Sequence, residues 1–158
     1  MSTEPDVAKA VWTEADFDAM SWHDNAIHAV AVEPVPDHPG RLLLDLDYIV
    51  GGILPEPPAT RVSFWICPAT LVFDEAWDLT ADADLRGWSF QLFISDISRS
   101  GPDERGFSDW TVAGDRFSIE LSFSDLSMVM VPTRAGCPFS WHCLISFTTA
   151  SNFSRSVR

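Results

Sequence analysis

The chain has 158 residues, with 23 acids against ten bases, a formal charge of −13 and a single lysine, Lys9. A field of that sign repels phosphate backbones and anionic lipid and speeds encounter with basic proteins, so nucleic acid and membrane surfaces are disfavoured as partners. No apolar run approaches the ~20 residues that span a bilayer, and the polar start MSTEPDVAKA lacks the basic and apolar stretches of a signal peptide, which predicts a cytoplasmic protein.

This length suits one domain over 1–158, with 1–11 and 151–158 expected to fray, burying roughly 70% of the surface of the unfolded chain. Eleven phenylalanines and seven tryptophans supply the core. Three cysteines, Cys67, Cys137 and Cys143, are too few for a disulfide framework and form no C-x-x-C pair, so they read as buried thiols. His142 beside Cys143 suggests a metal, but adjacent strand residues point to opposite faces.

In chain order, Thr13 is placed to cap a short helix through Met20, with Asp16 completing a capping box and Trp12 and Phe17 at the staple positions. Strands follow at about 26–33, 41–50, 61–66, 69–79, 88–98, 108–113, 116–124, 127–131 and 139–149, read from period-two alternation such as Phe117, Ile119, Leu121 and Phe123 against Ser118, Glu120, Ser122 and Ser124. PVPDHPG at 34–40 and AGD at 113–115 predict hairpins, and GGILPEPPAT and SRSGPDERG predict longer loops. The expected fold is mainly β: an antiparallel β-sandwich or strongly curved meander sheet with one short N-terminal helix, since a flat meander cannot bury so many aromatics.

The candidate chemistry lies in SWHDNAIHAV at 21–30 and LLLDLDYIV at 42–50. His23, Asp24, His28, Asp45 and Asp47 are the residue types of a carboxylate–histidine metal site. They need the right hairpin register to meet. With residue 28 opposite 47, His28 meets Asp47; with 28 opposite 48, His28 meets Tyr48 while Val30 and Val32 face Leu46 and Leu44. At ~0.8 kcal/mol per buried methylene, packing valines rather than alanines against the leucines favours the second register. It makes His28 a sheet-edge histidine and Asp45 and Asp47 solvated positions. Trp22 and His23 follow the helix directly and are suited to sealing its end.

No nucleophile elbow, phosphate-binding loop, dinucleotide fingerprint, zinc-protease or EF-hand pattern is present, and no cofactor is expected. Trp65, Trp88, Trp110 and Trp141 are candidates to line a small-molecule cup, though core packing is the commoner role for such tryptophans.

Together, the W-H-D start at 22–24, the D-x-D-Y-I strand at 45–49 and the P-A-T-L-V-F strand at 68–73 resemble a family of small bacterial proteins without an assigned activity. The likeness covers residues 22 to 98 and implies no catalytic residues. In that pattern an acid and a tryptophan follow the D-Y-I segment, whereas here Val50, Gly51 and Gly52 do. The resulting expectation is a non-enzymatic acidic domain that binds a basic protein, as toxin-immunity proteins do, with a metal-binding domain or metal-dependent enzyme at the five-residue cluster as the alternative.

Overall fold

The computed structural model describes residues 10–58, 60–86, 91–123, 125–130 and 145–148. It is mainly β and antiparallel, as the alternation predicts. β1 (Val11–Thr13) leads into a 3-10 helix (Glu14–Ala19), and then come β2 (Ala26–Val35), β3 (His38–Ile53) and β4 (Arg61–Ala83). After these come β5 (Leu92–Ser100), β6 (Ser108–Gly114), β7 (Phe117–Phe123), β8 (Asp125–Met130) and β9 (Ile145–Thr148). No described helix is long and apolar enough to cross a membrane.

The curvature comes from β4. Its first part pairs β3 on one side and β8 and β9 on the other, while Trp77 to Ala83 pair β7. The pairings therefore run β4–β3–β2–β5–β6–β7 and back to β4, closing a ring around one core. The link between β2 and β5 is short: among the described residues only Ala26 faces Phe93 and Ile27 faces Leu92.

Alternation decides which side chains enter the ring. Leu42, Leu44, Leu46 and Tyr48 of β3 lie opposite Phe73, Leu71, Ala69 and Cys67 of β4, and all are buried. On the far wall Trp110 and Val112 lie opposite Leu121 and Ile119. Both predicted hairpins form. Val35 pairs His38 around Pro36–Asp37, with Asp37 at φ 61, a conformation that aspartate tolerates better than most side chains. Gly114 pairs Phe117 around Asp115–Arg116. A Cβ on Gly114 would stand 2.4 Å from the Phe93 carbonyl oxygen, so the wall closes there only on a glycine.

Several boundaries differ from the alternation. The strands expected at 61–66 and 69–79 are one strand: Pro68 lies opposite Asp47 of β3 and falls between the segments of β4 that pair β9 (61–64) and β8 (69–74), a position where a strand tolerates proline. Gly51, Gly52 and Ile53, assigned to a loop, extend β3 against Trp65, Phe64 and Ser63. The strand expected at 88–98 runs Leu92–Ser100, and Trp88, Cys137, Trp141, His142 and Cys143, with the roles expected of them, lie outside the described residues. The expected frayed start contains Val11, which pairs Val129.

The N-terminal helix is a single 3-10 segment. Asp16 Oδ2 accepts from the Thr13 backbone N–H at 2.9 Å and from its hydroxyl at 3.3 Å, which is the acid's half of the anticipated box. The helix docks through Phe17, whose ring meets Trp110 edge-on at 4.7 Å and stacks on Trp22 at 5.6 Å. Arg99 of β5 holds it from above: its guanidinium lies 5.2 Å from the Phe17 ring centre and pairs with Glu14 at 3.0 Å and Asp18 at 3.5 Å.

Candidate functional site

The hairpin of β2 and β3 adopts neither of the two registers considered. Ala26 faces Asp47 and Ile27 faces Leu46, then a bulge at His28 shifts the pairing by one, so that Ala29 faces Asp45, Val30 faces Leu44 and Val32 faces Leu42. The bulge satisfies both demands at once. Beyond it the valines share the leucines' face, as the burial argument required, yet His28 turns toward Asp47 and not Tyr48, with Nε2 2.8 Å from Asp47 Oδ2. The expected Tyr48 neighbour is thereby corrected. The valine burial used to choose the register is also smaller than assumed, because Val30 and Val32 remain 48% and 62% exposed where β2 runs beyond the ring.

The structure distributes the five candidate residues over separate contacts. His23 Nδ1 lies 3.0 Å from Asp24 Oδ1 on the surface, and Asp45 Oδ1 accepts from the Thr70 hydroxyl at 3.4 Å. His28 and Asp47 form the third contact. Among the described residues no three His, Cys, Asp or Glu side chains are grouped to hold a metal ion. His28 lines a groove of about 580 Å³ between the start of β2 and the segment after β4, with Ile27, Val30, Leu85 and Leu92 as apolar walls. Its rim charges are engaged with one another: Arg86 donates to both oxygens of Asp84 at 2.8 Å, and Arg116 Nη1 donates to the Arg86 carbonyl at 3.0 Å.

Those contacts set the chemistry. Arg86 holds the Asp84 carboxyl down at about 2, through its side chain first and its backbone N–H second. Asp84 is therefore ionised throughout the neutral range, and any stability it lends is present above the ordinary carboxylate range and lost as pH falls through about 2. Burial pushes the Cys67 thiol up and the Asp47 charge pushes it the same way, so Cys67 stays protonated and poorly nucleophilic. Burial likewise raises the Tyr48 phenol, with the N–H of Ser21, donated at 3.0 Å, acting against it. No family model and no curated protein matches this chain. The resemblance in W-H-D, D-x-D-Y-I and P-A-T-L-V-F accordingly brings no activity with it.

The residue that organises this corner lies outside the five candidates. Asn25 is fully buried; its Nδ2 donates to the Ser21 and Trp22 carbonyls at 2.8 Å each, and its Oδ1 accepts from the Ile49 N–H at 2.7 Å. Its own carbonyl accepts from Ile94 at 2.9 Å. One side chain and its backbone thus join the helix exit, β3 and β5 beside the short β2–β5 link. The available signal was an asparagine between the helix exit and the first apolar strand positions, next to Asp24, which takes φ 68. Trp22, as expected, seals the helix end: it is buried and meets Tyr48 edge-on at 5.9 Å. Of the tryptophans considered for a ligand cup, Trp110 is core at 1% exposure.

Four of the described arginines pair with acids. Arg41 pairs with Asp74 at 2.7 Å and Glu33 at 3.5 Å, Arg86 with Asp84, Arg99 with Glu14 and Asp18, and Arg105 with Asp103 at 3.7 Å. These cations neutralise acids close to them in the fold.

Proposed function

We propose that this chain is a non-enzymatic acidic domain that docks onto a basic protein and neutralises it, in the manner of toxin-immunity proteins. One observation supports the reading most directly: the 23 acids outnumber the ten bases by 13, and four of those bases, the arginines at 41, 86, 99 and 105, are engaged in ion pairs within the chain. Complementary charge of this kind raises association rate and selects partner sign more than it adds affinity. On the same reading the protein works in the cytoplasm and avoids nucleic acid and membrane surfaces, whose phosphates its field repels.

Immobilised protein incubated with cell extract at low and at high salt tests this. The expected result is one or a few basic proteins retained at low salt and released as salt screens the charges. Retention that salt does not alter, or retention of acidic proteins only, contradicts it.

A further inference from the structure

The outer wall of β4, β7, β6 and β5 has a composition that core packing does not require. Directly opposed residues of antiparallel strands share a face, so the pairings Trp77–Ser122–Asp109–Ser100, Thr80–Glu120–Thr111–Ser98 and Asp82–Ser118–Ala113–Asp96 define its outward rows. Every charged residue in those rows is an acid, and no arginine or lysine occupies any of the positions. Within the paired segments of the four strands the cation is Arg99, which lies in the inward row beside Trp110 and is held by Glu14 and Asp18; Arg116 stands in the turn between β6 and β7, where it donates to the Arg86 carbonyl.

At one corner of the face stands Trp77, 49% exposed. Trp77 and Leu79 are two positions apart and would share a face of a regular strand. Instead the bulge between Trp77 and Thr80, with Asp78 at φ 48, lets Leu79 pack against the core while the indole stays outside. An indole face attracts a cation, and carboxylates beside it reinforce the attraction. Tryptophan is also among the side chains enriched at the hot spots of protein interfaces.

We infer that this four-stranded face is the docking surface for the basic partner, with a lysine or arginine side chain of that partner seated on Trp77 and flanked by Asp78, Asp109 and Glu120. The inference rests on the acidic-domain reading above and adds where the partner binds. A second copy of the chain is a poor occupant, because it would bring −13 against −13. A lysine- or arginine-rich surface meets an apolar anchor together with a sheet face whose charged positions in these rows are all acids.

The test uses the full chain and a synthetic peptide of about ten alternating lysine and glycine residues at low ionic strength, followed by amide and indole NMR shifts. The expected shifts fall on Trp77, Thr80, Asp82, Thr111 and Glu120. Trp77→Ala weakens binding about fivefold and Trp77→Phe restores part of it; Asp45→Asn with Asp47→Asn, on another wall, changes it less than about twofold. Spectra of the free variants verify that each remains folded. Binding whose shifts lie elsewhere and which Trp77→Ala leaves unchanged overturns this face but keeps the acidic-domain reading. Absence of any binding at low ionic strength overturns both.

Discussion

Asn25→Leu is expected to lower unfolding stability by about 3–5 kcal/mol, a large share of the roughly 5–15 kcal/mol that holds a typical domain. Leucine is close in volume, so the loss is polar. It removes the acceptor of the Ile49 N–H and the donors to the Ser21 and Trp22 carbonyls, in a site from which water is excluded. Each buried group left without a partner costs about 1–3 kcal/mol. Asn25→Asp keeps the acceptor but turns a carboxylate oxygen toward two carbonyls, and it should be destabilising for that reason. Urea denaturation measures both; a midpoint shift worth less than about 1 kcal/mol for Asn25→Leu would show that the three bonds are dispensable.

Trp110→Ala is the second large effect, also about 3–5 kcal/mol, because it empties a fully buried position whose neighbours come from different elements. The indole contacts Phe17 at 4.7 Å and Phe73 at 6.5 Å between ring centres, and the Arg99 guanidinium lies 5.7 Å from it. Its removal undermines the seat of the 3-10 helix as well as the core. A double-mutant cycle with Phe17→Leu should therefore yield a coupling of about 0.5–1.5 kcal/mol. Additive effects in thermal unfolding would mean that helix and wall are energetically independent.

The all-β fold, both hairpins and the inward set Leu42, Leu44, Leu46 and Tyr48 were legible because each follows from period-two alternation or from turn chemistry. What escaped the sequence depends on irregularities that alternation cannot encode. The bulge at His28 shifts the register within one hairpin, and its position reflects Asn25 and the β2–β5 link, which join residues far apart in sequence. The continuity of β4 between 66 and 69 depends on which neighbours the strand has around Pro68, and alternation does not carry that. Continued alternation from Leu71 and Phe73 puts Trp77 on the core side; left-handed backbone at Glu75 and Asp78 accompanies its turn outward. Most of the core was readable for the same reason that the outer face was not: burial imposes a period, whereas a docking surface appears only once the strands have been paired.

Among the candidate residues, His28 meets the partner of the disfavoured register, Asp47, and not the expected Tyr48. His28 meets Asp47, but at a contact half open to water and without a third ligand-type side chain among the described residues. An exposed pair of this kind contributes about 0.2–1 kcal/mol and orients an imidazole without supplying a nucleophile.

Calorimetric titration of the alternating lysine–glycine peptide into the protein at rising salt tests the central claim most directly. The expected result is saturable binding at low ionic strength whose affinity falls steeply as salt increases, with no binding of a glutamate–glycine peptide of equal length. Equal affinity for the two peptides, or an affinity for the lysine peptide that salt does not change, would contradict it.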